Sequence, residues 1–211
     1  MAILSQTNFP HLWLLMQKLI GGNGSKQKFA KKWYSGQKRI LEIGCSVGNV
    51  SSCFTRFENV EFIGIDIDGA VIEVAQKRFR KYPNFRFQNC YLADFVNQEN
   101  QFDYILFAGI LHHVDDQTAF QLLMDVKRCA NPQSSIVVYE PEIPRQNDSF
   151  ILRNFIKKME QGQFVRTRSG YQCLIEQAGL RILDATSEMQ SPGIVKRPYV
   201  ARFSLFHCMA E

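Results

Sequence analysis

The chain has 211 residues, 45% of them hydrophobic, and a net charge of +5. That length suits one α/β domain with a single sizeable core, and the composition excludes collagen-like and wholly disordered chains. No apolar run approaches the roughly 18 residues that a membrane span needs. The opening stretch, MAILSQTNFPHLWLLMQKLIGG, holds an apolar patch with no basic segment before it and no small-residue cleavage site. It therefore reads as an amphipathic helix rather than a secretory signal. The six cysteines, Cys45, Cys53, Cys90, Cys129, Cys173 and Cys208, form no C-x-x-C pair. They carry no zinc signature and no disulfide framework, so reduced thiols in a cytoplasmic protein are expected. Basic residues cluster in KQKFAKKWYSGQKR (26–39) and QKRFRKY (76–82). These read as solvated helix faces, with nucleic-acid contact as the alternative.

In chain order, helices are expected over 9–20 and 25–34, the second capped by Ser25. From Lys38 onward strand and helix patterns alternate. RILEIG is a strand and VGNVSSCFTRF a helix; VEFIGID is a strand and DGAVIEVAQKRFRKY a helix. FRFQNC and FDYILFA are strands. DDQTAFQLLMDVKRCA is a helix with Phe120, Leu123, Met124 and Val126 at helical spacing, and SSIVVYEP is a strand. The apolar strands lack alternation, as strands buried on both faces do. Repeated strand–helix units predict a mostly parallel, Rossmann-like sheet with helices on both faces. After Pro144 the rhythm changes. Residues 147–160 and 169–179 read as helices, the latter stopped by Gly179. LRILDATSE and YVARFSLFHCMA then follow as two strands with no helix between them, which predicts an antiparallel last strand and seven strands in all. A single domain over 1–211 is expected: a helical cap over 1–35, a core over 38–140, a helical insertion over 141–170, and a closing helix and strand pair over 171–211.

RILEIGCSVGNVS (39–51) places a glycine turn after the first strand. It lacks the Lys-Ser/Thr of a P-loop, and a G-x-G-x-x-G fingerprint would need glycines at 44, 46 and 49, where the chain has Gly44, Ser46 and Asn49. The stretch resembles the first motif, E/D-x-G-x-G-x-G, of class I S-adenosylmethionine-dependent methyltransferases. Glu42, Gly44 and Gly48 match, and Ser46 stands where the middle glycine usually is. A small side chain is tolerated there if the backbone need not adopt positive φ. Asp66 ends the second strand, 22 residues after Gly44, where an acid can accept both ribose hydroxyls. Asp68 is the natural cap of the next helix.

Further stretches extend the resemblance. NCYLADF (89–95) is similar to the segment ending the family's third strand, although its usual first acid is replaced by Cys90 or Tyr91. FDYILFAGILHHVDD (102–116) resembles the fourth motif of the small-molecule methyltransferases, with L-H-H-V at 111–114. QFVRTRSGYQCLIEQAGLRILDA resembles the penultimate helix and the strand after it. The resemblance spans about residues 38–210 and implies S-adenosylmethionine as cofactor, held in the core over 38–140. The implied contacts are Glu42, Gly44, Cys45, Ser46, Gly48, Asp66, Ile67 on the adenine face, backbone near Tyr91 and Leu92, and Ala108 and Gly109. No metal is implied, because H-H-x-D-D lacks a ligand set. His112 or His113 is a candidate general base, with a structural loop role as the alternative, since adjacent histidines cannot share one face. Trp13, Arg166 and Tyr171 are candidate acceptor contacts, and Arg166 with Arg168 suits an anionic group. The implied function is methyl transfer to a small molecule, at oxygen. The alternatives are an RNA or protein methyltransferase, or a non-catalytic protein of the same fold that binds the cofactor or a partner. No N-P-P-Y-type tetrapeptide of amino-group enzymes follows the fourth strand, where the chain reads AGIL.

Overall fold

The computed structural model describes residues 22–97, 101–159, 162–190, 199 and 201–210. Helix α1 (Gly22–Ala30) precedes strand β1 (Arg39–Ile43) and a 3-10 turn (Ser51–Phe54). Then come β2 (Glu61–Asp66), α2 (Gly69–Phe79), β3 (Phe85–Asn89), a short α3 (Leu92–Phe95) and β4 (Phe102–Ala108). A second 3-10 turn (Leu111–His113) leads into α4 (Asp116–Cys129) and β5 (Ala130–Pro141). The chain continues through α5 (Phe150–Met159), α6 (Arg168–Gln177), β6 (Leu180–Gln190) and β7 (Ala201–Ala210). The seven strands form one sheet in the order β3-β2-β1-β4-β5-β7-β6. All pairings are parallel except those of β7, which runs antiparallel to both β5 and β6. The expected Rossmann-like, seven-stranded α/β sheet is what the chain forms.

Alternation along the buried strands sends neighbouring side chains to opposite faces. On one face Leu41, Ile43, Ile63, Ile65, Ile105 and Phe107 pack with Leu123 and Val126 of α4 and Leu174 and Ile175 of α6. On the other, Ile40, Phe62, Tyr104 and Leu106 pack with Ile72, Ala75 and Phe79 of α2 and with Ala30 of α1. Each fully buried Leu, Ile, Val or Phe side chain among them contributes about 1.5–3 kcal/mol. The connecting elements change face between the first and second half of the sheet, so the topological switch falls between β1 and β4. Crevices in sheets of this kind open there, at the carboxyl ends of the strands. The register brings those ends level: Ile43 lies beside Ile65 and Phe107, Asp66 beside Asn89, and Ala108 beside Tyr139.

Helix boundaries follow local chemistry. Asp68 caps α2 by accepting from the Ala70 amide, Asp115 caps α4 through Thr118, and Thr167 caps α6 through Gly170. Gly179 takes φ +69 just past α6, the left-handed stop its position predicts.

Two expectations fail. The helix over 47–57 is only the 3-10 turn Ser51–Phe54. Ser52 Oγ donates to Asn49 O at 2.8 Å and Thr55 Oγ1 to Ser52 O at 2.9 Å. Hydroxyls bonded three residues back tighten the turn and compete with an α-helix. The helix expected over 25–34 runs instead from Gly22 to Ala30, with Ser25 inside it. Tertiary contacts set its place: Gln27 Nε2 donates to Asn49 O, the Tyr104 hydroxyl donates to Ala30 O, and Phe29 stacks on Tyr139. The helix expected over 9–20, and Trp13 within it, lie outside the described residues.

The turn after β1 is tied to the core. Phe79 stacks on Phe85, which stacks on Phe62, and a Cβ at Gly48 would lie 2.5 Å from Phe79 Cε2. Gly48 also has φ +76. Gly48→Ala is therefore expected to destabilise the fold by about 2 kcal/mol or more, from the combined clash and backbone strain. Urea unfolding of the variant beside the unmodified chain checks this.

Candidate active site at the carboxyl edge of the sheet

Strand β1 ends in a turn of unusual conformation. Gly44, Ser46 and Gly48 all have positive φ, at 64°, 50° and 76°. Ser46 thus adopts positive φ, so the condition for a side chain to sit there without strain is not met, at a cost of roughly 1–2 kcal/mol. What holds it is Asp66: Oδ2 accepts from the Ser46 amide at 2.9 Å while Oδ1 accepts from the Asp68 amide at 3.0 Å. Cys45 N also donates to Ile65 O at 3.0 Å. The turn is thereby fastened to the end of β2. Burial raises the Asp66 carboxyl above the usual carboxylate range, and the amides of Asp68 and Ser46 oppose that shift.

Beside Asp66 a cleft of about 540 Å³ opens between the ends of β2 and β3, lined by Ile67, Asn89, Cys90, Tyr91, Asp94 and Asn97. Its size falls in the range of small-molecule sites. Ile67 and Tyr91 stand open to it at 67% and 65% exposure. Leu92 sends its side chain into the core, so only its backbone is left for a ligand. Asp94 and Asn97 were missed by sequence reasoning; Asp94 was visible as the end of N-C-Y-L-A-D-F, but its orientation was not.

Across the switch point, Gly109 (φ +85) leads from Ala108 into the second 3-10 turn. Ile110 folds back so that its Cδ1 lies where a Cβ on Gly44 would be, 1.6 Å away. The turn is organised by Glu140, a fully buried carboxylate on β5. Oε1 accepts from the amides of Ile110 and Leu111, both at 2.8 Å, and Oε2 meets His112 Nδ1 at 2.6 Å. The His112 side chain is only 5% exposed. A Cβ on Gly109 would lie 3.4 Å from His112 Cε1, and one on Gly162 would lie 2.1 Å from Cδ2. These are the two ring carbons bonded to Nε2. His113 is exposed, its ring 4.0 Å from that of His112. Glu140 was also missed. Its signal is an acid closing the apolar run SIVVYEP, because a carboxylate in a strand buried on both faces needs several donors.

Two expected acceptor contacts serve another purpose. Arg166 is 8% exposed and its guanidinium is spent within the chain, on Asp116 Oδ1 at 2.7 Å and on the carbonyls of Leu111, Val114 and Phe164. It is a strut holding the His112 turn to α4. The Tyr171 hydroxyl is buried, accepting from the Arg166 amide and donating to Pro141 O. Arg168 donates to Ala185 O. Arginines before a helix look alike in sequence whether they face solvent, a ligand or a carbonyl.

Glu42, on β1, is almost wholly buried, and Ser51 Oγ donates to its Oε2. Burial pushes its carboxyl up to about 8, against the opposing pull of Ser51 and the Lys26 ammonium.

Residues 40–133 match a family described as a methyltransferase domain. The chain is 25% identical over 183 residues to N-terminal Xaa-Pro-Lys N-methyltransferase 2 of Danio rerio, an alignment covering 80% of this chain and 60% of that protein. Among solved structures it is similar to mitomycin 7-O-methyltransferase, with TM-score 0.69 at 16% identity over 96% of this chain and 59% of that one. It is also similar to a phosphoethanolamine N-methyltransferase 2 of Haemonchus contortus, whose structure holds S-adenosylhomocysteine. That likeness has TM-score 0.67 at 13% identity, over 89% and 52% of the two chains. The chain spans between 14% and 60% of the lengths of the curated relatives it matches. Over residues 40–133 the chain matches a methyltransferase domain, for which the sequence implies S-adenosylmethionine as cofactor, and its seven-stranded sheet is the fold of those solved structures. Among the described residues no helix is long and apolar enough to cross a membrane.

Asp66 provides a test of fit for that cofactor. A carboxylate has about four lone-pair sites. One on each oxygen is used by a backbone amide, which leaves one on each for the two vicinal hydroxyls of a ribose.

The raised Glu42 carboxyl has a consequence for stability. The fold keeps a proton that the unfolded chain releases above its ordinary value of 4.5. Stability from this group is therefore full below about pH 4.5 and is lost as pH rises toward about 8. Glu42→Gln removes the penalty. In thermal melts its advantage over the unmodified chain is expected to be near zero at pH 4.5 and on the order of a few kcal/mol at pH 8.

Proposed function

We propose that the protein is a cytoplasmic S-adenosylmethionine-dependent methyltransferase acting on the hydroxyl group of a small molecule. The single observation that carries the cofactor half of this reading is the Asp66 carboxylate, fastened to the glycine turn and still able to accept two hydroxyl donors beside a cleft of about 540 Å³. In it Asp66 binds the ribose, Ile67 and Tyr91 flank the adenine, and the turn from Gly44 through Cys45 and Ser46 to Gly48 admits the rest at close backbone range. Ala108 and Gly109 border the other side. The cofactor supplies the electrophilic methyl group and its positive charge.

The acceptor half rests on His112 and Glu140. A hydroxyl must shed its proton as it attacks, whereas a neutral amine already has a free pair. Glu140 holds His112 by Nδ1, which fixes the tautomer with Nε2 as acceptor. His112 Nε2 would take the hydroxyl proton as the oxygen bonds to the methyl carbon and the sulfonium–methyl bond breaks, its electron pair leaving with S-adenosylhomocysteine, and Glu140 would stabilise the imidazolium. Arg166 acts indirectly, by keeping the turn in place. The similarity to a mitomycin 7-O-methyltransferase supports an oxygen acceptor of small size. A second reading, transfer to a peptide amino terminus, is supported by the similarity to the Xaa-Pro-Lys N-methyltransferase.

Calorimetric titration tests the cofactor half. S-adenosylmethionine and S-adenosylhomocysteine are expected to bind with micromolar affinity, NAD not at all, and Asp66→Ala to weaken both sulfur compounds by about tenfold or more. No binding of either sulfur compound overturns the reading. Methyl transfer is then measured on hydroxyl compounds, amines and a peptide beginning Xaa-Pro-Lys. Turnover of a hydroxyl compound that falls about 10²-fold or more in His112→Gln, with S-adenosylhomocysteine binding kept, supports the base. Turnover of the peptide alone replaces the first reading with the second.

A further inference from the structure

Helix α1 contributes a charge to this site that the motifs of the strand ends do not announce. Its early residues reach the carboxyl edge of the sheet while Ala30 packs on the sheet face, and it is anchored on one side by Gln27, whose Nε2 donates to Asn49 O at 2.7 Å and to Ser52 Oγ at 2.9 Å. The preceding residue, Lys26, reaches the opposite side of the crevice. Its Nζ lies 3.2 Å from where a Cβ on Gly109 would be, so the missing side chain at 109 makes room for the ammonium. Lys26 is half-buried, and among the described residues no carboxylate lies within ion-pair distance of it. One helix thus touches the turn after Gly48 through Gln27 and the end of β4 through Lys26.

The direction of the cofactor follows from the proposed function, on which this inference rests. The nucleoside end belongs at Asp66, on β2. Strand β1 lies between β2 and β4, and strands are about 4.8 Å apart. The amino-acid arm must therefore cross the glycine turn toward Gly109, about 10 Å away, where Lys26 stands. That arm ends in a zwitterion. The buried Glu42 carboxyl lies within electrostatic reach of Lys26, which stands as a fixed cation beside Gly109. We propose that Lys26 is the residue that takes the α-carboxylate of the cofactor's methionine arm, making the site selective for nucleosides that keep this carboxylate.

The charge logic also concerns a neighbouring chemistry. A decarboxylated cofactor carries an ammonium and a sulfonium with no anion to offset them, and Lys26 would repel it. The geometry thus opposes polyamine-type aminopropyl transfer at this site. The interaction is a charge-assisted hydrogen bond in a partly buried crevice, so its loss is expected to exceed that of a surface ion pair.

The test compares two nucleosides on the full chain by calorimetry: S-adenosylhomocysteine, which has the amino-acid arm, and 5′-methylthioadenosine, which lacks it. In Lys26→Met the homocysteine nucleoside is expected to bind about 10- to 100-fold more weakly, while methylthioadenosine binds within twofold of the unmodified chain. Lys26→Arg is expected to restore most of the difference. Equal binding of S-adenosylhomocysteine by Lys26→Met and the unmodified chain overturns this inference alone, as does a parallel loss of both nucleosides, which would make Lys26 a prop for the fold. Failure of the unmodified chain to bind either nucleoside overturns the cofactor reading and this inference with it.

Discussion

The carboxylate of Asp66 joins three things that the sequence keeps apart. One oxygen holds the Ser46 amide and so fixes a turn containing three residues of positive φ. The other holds the Asp68 amide at the head of α2. A cleft lined by Ile67, Asn89, Cys90, Tyr91, Asp94 and Asn97 opens beside it. A side chain at the end of a central strand is well suited to this, because the parallel register places the ends of β1, β2 and β3 at one level. The carboxylate offsets the strain at Ser46 through that residue's amide. The glycine turn is therefore a conformation imposed by the neighbouring strand as well as a set of small residues.

The same edge of the sheet buries three further acids, each stabilised differently. Glu42 has the Ser51 hydroxyl and a distant ammonium, and burial prevails. Glu140 collects the amides of the His112 turn and the imidazole itself. Glu142 accepts from the hydroxyls of Ser187 and Ser204, with the Arg145 guanidinium at 3.3 Å. Burying carboxylates costs several kcal/mol each unless donors replace the lost water. The polar interior of this edge contrasts with the mostly apolar packing on the two faces of the sheet.

Most of the architecture was legible in the sequence. Strands such as FDYILFA and VEFIGID are apolar without alternation, and that pattern has few outcomes other than a doubly covered parallel sheet. The pair of strands after Gly179 with no helix between them announced the antiparallel ending. The place of Asp66 at the end of β2 was legible because its spacing from Gly44 is set by one strand–turn–strand unit. Residues 47–57 were not, because Ser51, Ser52 and Thr55 have tertiary and local hydroxyl bonds that a periodicity argument cannot see. Arg166 and Tyr171 misled for a related reason: a residue type suited to binding a ligand is equally suited to binding the chain's own carbonyls. Lys26 and Glu140 escaped notice because each reaches the site from a distant part of the sequence, so that only the fold brings them to Gly109 and His112.

The most direct test of the central claim is a crystal structure of the protein with S-adenosylhomocysteine. The account predicts both ribose hydroxyls on the Asp66 carboxylate, with the Ser46 and Asp68 amides still bonded to it and the amino-acid arm crossing the glycine turn toward Gly109. A nucleoside bound elsewhere, or an Asp66 carboxylate turned away from the ribose, would contradict it.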